Sequence, residues 1–262
     1  MKVDKLRTVI IYIIIILLGL VCLLPLLNIV AISFSSSAAV EGNMVGLIPV
    51  GFSTAAYKKI LEDSQFWHSF LISVERVVLA LIINFVLIVL MAYPLSKTNA
   101  QFRGRNIYAN LMIFAMLFNG GMIPTFLVVK SYGLLNTVWA LVLPGAVPIF
   151  NVILVMNFFA AVPKELEEAA FIDGANPLQV LTKIFIPISK PVLATVSLFS
   201  IVGSWNDFYS GLIYMSKAAY YPLMTYIQSL QINVEDLIKQ GNLSAVVDSA
   251  SLGNTNLNAA KI

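Results

Sequence analysis

Side chains that could support catalysis or metal binding are scarce in this 262-residue sequence. It contains one histidine, His68, and one cysteine, Cys22. A protein-only metal site needs several such ligands, and a nucleophilic triad needs a histidine close to its nucleophile. The sequence has neither an H-E-x-x-H motif nor a G-x-x-x-x-G-K-[ST] phosphate loop. We therefore expect no metal site, no catalytic residue and no ATP hydrolysis by this chain.

The densest group of acidic residues lies between Pro163 and Pro191, in the segment PKELEEAAFIDGANPLQVLTKIFIPISKP. The rest of the protein must position these side chains, and the composition of the chain is unusual. Hydrophobic residues make up 59% of it, charged residues only 11%, and the mean hydropathy is +0.89. Soluble domains carry about 25% charged residues. The composition excludes a soluble enzyme and a disordered chain, and a net charge of only +3 argues against a nucleic-acid binder.

Five charge-free apolar runs predict membrane spans, which need about 20 residues for a helix; four reach that length, and the fifth has Asp207 near its far end. Backbone polar groups in lipid must be hydrogen-bonded within their own segment, so these runs predict helices and not strands. The sequence therefore predicts an all-α integral membrane protein, a polytopic helical bundle. The runs are 8–40, 77–96, 106–129, 131–163 and 191–206.

Lysine and arginine placement predicts the orientation. When the loops are assigned alternately to the two sides, one side receives nine basic residues, close to the span ends, and the other receives six in longer loops. The nine begin with Lys2, Lys5 and Arg7, so we expect the N-terminus to be cytoplasmic. The first run is too long for a signal peptide core and no clear cleavage site follows it, which favours a retained anchor in the cell membrane.

The segment 163–191 contains the start and stop signals of two short helices. Pro163 and three glutamates suit the start of the first helix, and Gly174 suits its left-handed end. Asn176, Pro177 and Gln179 form a capping-box pattern for the second helix. Pro187 is expected to end that helix, and Pro191 to open the next span.

Two interpretations of this helical corner remain open. Small residues at Ala169, Ala170, Gly174 and Ala175, with apolar residues around them, would let a soluble partner approach the backbone closely. The alternative is an amphipathic helix lying on lipid headgroups. The acidic cluster disfavours it, because the cytoplasmic leaflet is anionic.

This segment resembles the EAA loop of the permease subunits of bacterial ABC importers, which have a MetI-like transmembrane domain. Glu168-Ala169-Ala170, Gly174, Ile184 and Pro187 match that pattern, and Ile186 replaces its leucine. The resemblance implies that the loop is a coupling helix, which docks on the ATP-binding subunit. The coupling residues would then be Glu168, Ala169, Ala170, Gly174, Ala175, Pro177, Ile184 and Pro187.

Three further motifs extend the resemblance over residues 66–234 and point to the carbohydrate-uptake branch, with similarity to the maltose-type second permease. They are AYPLSK from Ala92, FNGGMIPTFLVVKSYGLLNT from Phe118 and SWNDF from Ser204. The resemblance implies a division into residues 1–65, an anchor span with an external loop, and residues 66–262, a permease domain with the coupling loop 163–191. It also implies a sixth span, which is expected near the C-terminus but does not occur before Ile262.

The family resemblance also implies the partners. They are a second homologous permease subunit, a dimer of ATP-binding subunits and an extracellular or periplasmic solute-binding protein that delivers a carbohydrate. ATP and Mg²⁺ would be bound by the partner subunits, and no cofactor by this chain. Membrane lipid would surround the spans, and no nucleic acid is expected.

Other polar residues lie near the ends or breaks of the spans, and most of them have two interpretations. Asn206 and Asp207 are expected either to line a translocation path or to lie at the membrane interface. Asn119, Gly120 and Gly121 are expected either to permit close helix packing or to unwind the third span beside a cavity. Arg76, next to Glu75, is expected to be an interfacial residue that extends towards the headgroups.

Rival functions are a permease for a non-sugar solute, an ion-coupled secondary transporter and a membrane enzyme. A secondary transporter needs ionisable residues at mid-membrane depth, and the apolar runs contain few. A membrane enzyme needs His, Asp or Ser clustered at one depth, and the sequence contains no such cluster.

Overall fold

A computed structural model describes residues 2–118 and 120–239, and every regular element in this part of the chain is a helix. The all-α prediction is confirmed. The described residues fall into two compact units, residues 2–67 with 227–239, and residues 68–226. The predicted domain division at residue 66 stays a prediction, as does the cytoplasmic N-terminus. The predicted absence of a further span before Ile262 concerns residues 240–262, which lie outside the described part.

The first unit begins with a long apolar helix. Within Ile10–Ser33 an 18-residue stretch has a mean hydropathy of 3.2 and contains no buried residue. A helix that is apolar all round fits a hydrocarbon environment. After it, Phe34 stacks on Phe52 and Tyr57 with ring centroids 5.7 and 5.0 Å apart. The helices of this part are α1 (Lys2–Ser33), α2 (Ser37–Glu41) and α3 (Ala55–Glu62).

The second unit contains most of α4 (Ser64–Leu95) and a series of shorter helices. Turns of other helix types connect some of them, 3-10 at Leu143–Gly145 and Ala218–Tyr220 and π at Leu181–Phe185. The shorter helices are α5 (Arg105–Leu117), α6 (Met122–Ser131), α7 (Val138–Val142), α8 (Ile149–Ala160), α9 (Lys164–Ile172), α10 (Pro177–Val180), α11 (Ile186–Ile188), α12 (Lys190–Asn206) and α13 (Tyr209–Tyr214). Helix α14 (Leu223–Lys239) begins in this unit, and its residues from 227 onwards belong to the first.

Length and composition allow up to five membrane spans within the described residues. Helices α1 and α4 qualify alone, and the other three candidates are bent pairs, α5 with α6, α7 with α8, and the α10–α11 segment with α12. The second bends by 48° and the third by 84°. The number of charge-free runs in the sequence is also five, but the runs do not reveal the bend angles.

The core of the second unit forms along one stripe of α4. Its buried residues recur every three or four positions, which is the period of one helix face. Towards the C-terminal end of α4 the stripe is apolar, and Ile88, Val89 and Ala92 pack with residues of α8, α12 and the segment after α9. Nearer its N-terminal end the stripe is polar, with Ser69, Ser73 and Arg76 buried.

Candidate functional site

The corner between α9 and α10 is a helix–turn–helix held by backbone hydrogen bonds. Ala175 N donates to Ala170 O at 2.9 Å, and Gly174 N donates to Phe171 O at 3.1 Å. This pair of bonds is the Schellman arrangement that closes a helix C-terminus. It requires a left-handed residue, and Gly174 has φ +83°. The predicted left-handed helix end at Gly174 is confirmed by this backbone geometry.

A capping box begins the second helix of the corner. Asn176 accepts a hydrogen bond from Gln179 N at 2.9 Å, and the Gln179 side chain accepts one from Asn176 N at 2.9 Å. Pro177 occupies the first turn, where a missing N–H costs nothing. The predicted start of this helix is confirmed. Its predicted end at Pro187 is wrong, because a π-turn at Leu181–Phe185 leads into α11, and the helical path continues to Ile188.

The outer side of the corner carries exposed apolar residues beside an exposed carboxylate. Ile172 is 86% exposed and Leu178 is 62% exposed, one on each side of the turn. Glu168, Ala169, Gly174 and Pro177 are also exposed, and nothing lies within 4 Å of a Cβ built on Gly174. Apolar residues this exposed at the tip of a rigid turn are typical of an interaction surface.

The inner side of the corner packs on the protein core. Ala170, Ala175 and Ile184 are partly buried and contact the apolar cluster of α4, α8 and α12. The eight coupling residues predicted from the sequence therefore divide into two groups. Glu168, Ala169, Gly174, Pro177 and Pro187 are exposed, whereas these three support the corner from behind.

Glu167 is a further charged residue of α9, and it faces inward. It is only 7% exposed, and Lys97 Nζ lies 2.7 Å from its carboxylate. The ammonium also lies over two rings, 4.1 Å from the centroid of Tyr93 and 4.2 Å from that of Phe185. Burial lowers the pKa of Lys97, and the hydrogen bond and charge of Glu167 oppose that lowering.

The described residues among those predicted for a translocation path lie at two helix breaks, between α5 and α6 and at the end of α12. Asn119 lies outside the described residues. Gly120 and Gly121 follow the end of α5, and Gly121 immediately precedes α6, so the helix is interrupted there as one of the two interpretations expected. Asn206 is exposed, and its side-chain amide donates to Val202 O of its own helix at 2.9 Å.

Asp207 is paired with Arg76, which was expected to extend towards the headgroups. Arg76 donates to the backbone oxygen of Asp207 at 2.8 Å and forms an ion pair with its carboxylate. Arg76 is 3% exposed and bound within the protein, so the prediction that its side chain extends towards the headgroups is wrong. A cavity of about 170 Å³ adjoins this pair, and its lining includes Asn84, Ser204 and Ser210.

Helical spacing is the signal that places Arg76 and Glu167 on buried helix faces. Arg76 stands four and eight residues before Ala80 and Asn84, which share its buried stripe. Glu167 stands three residues before Ala170, the inward-facing alanine of α9. In each case the charged residue lies on the face that packs inward.

Comparison with known proteins identifies the family. Residues 71–247 match the model of the family described as "Binding-protein-dependent transport system inner membrane component". The chain belongs to this family. It is therefore an inner membrane component of a bacterial ABC transport system, in which membrane permeases work with ATPase subunits and a solute-binding protein.

Relatives of this transport component cover most of its length. Protein LplC of Bacillus subtilis strain 168 is 44% identical over 82% of this chain and 72% of its own length. The polygalacturonan/rhamnogalacturonan transport system permease protein YtcP of the same organism is 39% identical over 92% of this chain and 83% of its own.

A solved structure shares the fold of this transport component. It is the crystal structure of a bacterial ABC transporter involved in the import of the acidic polysaccharide alginate. One of its chains superimposes with a TM-score of 0.81 and 33% sequence identity, over 89% of this chain and 82% of its own. The MetI-like permease fold predicted from the EAA-type loop is confirmed.

Proposed function

We propose that this chain is the permease subunit through which an ABC importer moves a sugar or oligosaccharide into the cell by alternating access. The exposed corner of α9 and α10 carries the proposal. It combines the EAA-type sequence with a rigid backbone, two exposed apolar side chains and the exposed carboxylate of Glu168. A soluble subunit could seat these groups in a groove and move the corner as one piece.

The orientation and the partners follow from this assignment. The corner lies on the cytoplasmic side, as does the N-terminus. The ATP-binding subunits bind their nucleotide on that side. Those subunits bind ATP and Mg²⁺, and the sequence of this chain contains no phosphate-loop motif. A second homologous permease completes the pathway, and an external solute-binding protein delivers the substrate.

The substrate class is supported by the relatives. YtcP is named for polygalacturonan and rhamnogalacturonan, and the solved structure belongs to an importer of alginate. These polymers are acidic, so uronate-containing oligosaccharides are the first substrates to test. Neutral oligosaccharides of the same length provide the comparison.

The test measures binding of the ATP-binding subunits and substrate uptake in proteoliposomes that contain the complete importer. Changing Ile172→Ser and Leu178→Ser together removes the exposed apolar contacts without touching the core. We expect the affinity for the ATP-binding subunits to fall by about tenfold or more, as for truncation of interface hot spots. Uptake of labelled oligogalacturonides should fall with it.

Three results would contradict the proposal in whole or in part. Unchanged affinity in the double variant would remove the corner as the docking surface. Uptake that persists after ATP depletion, with an ion gradient intact, would favour an ion-coupled secondary transporter instead. Uptake of only non-sugar solutes would leave the ABC permease assignment and overturn the substrate class.

A further inference from the structure

The ion pair of Lys97 and Glu167 joins the corner to the longest helix of the second unit. Lys97 follows α4 by two residues, and Glu167 lies in the middle of α9. Their side chains are 12% and 10% exposed, so water screens the pair little. Together with the Tyr93 and Phe185 rings, the Glu167 carboxylate gives the ammonium a partner on several sides.

The opposite region of α4 carries a second buried ion pair. Arg76, 21 residues before Lys97, is bound to Asp207 at the end of α12. At 1.5 Å per residue, the two basic residues are separated by roughly 30 Å, the thickness of a hydrocarbon core. One stiff helix thus has a buried ionic attachment at the corner and another beside the cavity at Asp207.

We propose that the Lys97–Glu167 ion pair is a positioning device that transmits displacement of the corner into α4. A partner that moves α9 displaces Glu167, and the attraction between the charges moves the end of α4 with it. Helix α4 then carries the displacement to the Arg76–Asp207 pair. The inference rests on the proposed function, because it assumes that a partner moves the corner.

This proposal separates two neighbouring glutamates by role. Glu168 belongs to the exposed docking surface, whereas Glu167 does not need to touch the partner. Loss of Glu167 should leave docking intact and weaken only the transfer of motion. The quantity that reports this difference is the amount of substrate transported per ATP hydrolysed.

The experiment uses the complete importer in proteoliposomes and records three quantities for each variant, namely the affinity for the ATP-binding subunits, ATP hydrolysis and oligogalacturonide uptake. For Glu167→Gln and for Lys97→Met, we expect an affinity close to that of the unmodified protein. Transport per ATP should fall about fivefold or more, which is the lower range of measured coupling between sites. Glu165→Gln, at an exposed position of the same helix, is the matched control and should leave the ratio unchanged.

A double variant covers the case in which one unpaired buried charge prevents folding. Lys97→Met combined with Glu167→Gln removes both charges, and replacement of a whole buried pair is usually tolerated. Its transport per ATP should also be low. A ratio equal to that of the unmodified protein in this double variant overturns the proposal, and so does a fall in uptake that only follows a fall in docking. Failure of the unmodified chain to bind ATP-binding subunits would instead refute the proposed function.

Discussion

Glu167 and Glu168 are consecutive in α9, yet Glu167 is buried against Lys97 whereas Glu168 is exposed. The same substitution should therefore have opposite effects on stability and docking. Glu167→Gln leaves Lys97 buried without a countercharge and should cost about 3 kcal/mol of unfolding free energy. Glu168→Gln should leave stability within about 0.5 kcal/mol, as at other exposed sites.

Thermal unfolding in detergent and binding of the ATP-binding subunits measure the two effects. Glu168→Gln should weaken binding and retain the melting temperature, and Glu167→Gln should show the reverse. Equal melting temperatures for the two variants would contradict the burial of Glu167. Glu165→Gln serves as the control for the loss of a charge from α9.

The left-handed conformation of Gly174 gives a second prediction. Gly174→Val places a β-branched side chain at φ +83°, which should cost about 1–2 kcal/mol and loosen the corner. Asparagine adopts this region more readily, so Gly174→Asn should retain the backbone. Nothing in the described part of the chain lies within 4 Å of the added Cβ, so any further loss of docking in Gly174→Asn measures how closely the partner approaches.

Two measurements separate backbone strain from contact with the partner. Proteolysis of the corner in the isolated chain reports strain, and affinity for the ATP-binding subunit reports the approach. We expect Gly174→Val to increase cleavage and Gly174→Asn to resemble the unmodified protein. Uptake and affinity that survive unchanged in Gly174→Val would contradict the coupling assignment.

The Arg76–Asp207 pair should behave as a buried ion pair in a double-mutant cycle. Asp207→Asn leaves the buried Arg76 guanidinium without its countercharge and should cost about 3 kcal/mol, and Arg76→Met should cost less because the Asp207 side chain is 30% exposed. The double variant should lose less than the sum, by about 1–3 kcal/mol, since the residues are in direct contact. Additive losses in thermal unfolding would show that the two side chains do not interact.

The helical corner was predictable because its determinants are local. The bonds of the Schellman turn and the capping box connect residues at most five positions apart, and Gly174, Asn176 and Gln179 are the residue types that these geometries favour. Membrane spans were equally predictable, because a span needs only an uninterrupted apolar run. Breaks at Pro187 and Pro191 were expected, but the bend angles of 48° and 84° were not predicted, because they depend on packing.

The two ion pairs were missed because their partners are distant in the sequence. Arg76 and Asp207 are 131 positions apart, and Lys97 and Glu167 are 70 apart. Charged residues at span edges fit both a topology signal and a buried partner, and composition does not distinguish them. Only the helical spacing of Arg76 with Ala80 and Asn84 indicates the buried face. The identity of the partner requires the fold.

Gly211 in α13 provides a prediction about packing. A Cβ added there would lie 2.8 Å from Thr225 Cβ, and Thr225 is fully buried and donates to Phe208 O at 2.8 Å. Because the buried Thr225 cannot move away easily, Gly211→Ala should destabilise the protein by about 1–3 kcal/mol. The control is Gly203→Ala in α12, where nothing lies within 4 Å and helix propensity favours alanine. Thermal unfolding compares the two variants, and equal melting temperatures would mean that α13 does not pack on Thr225.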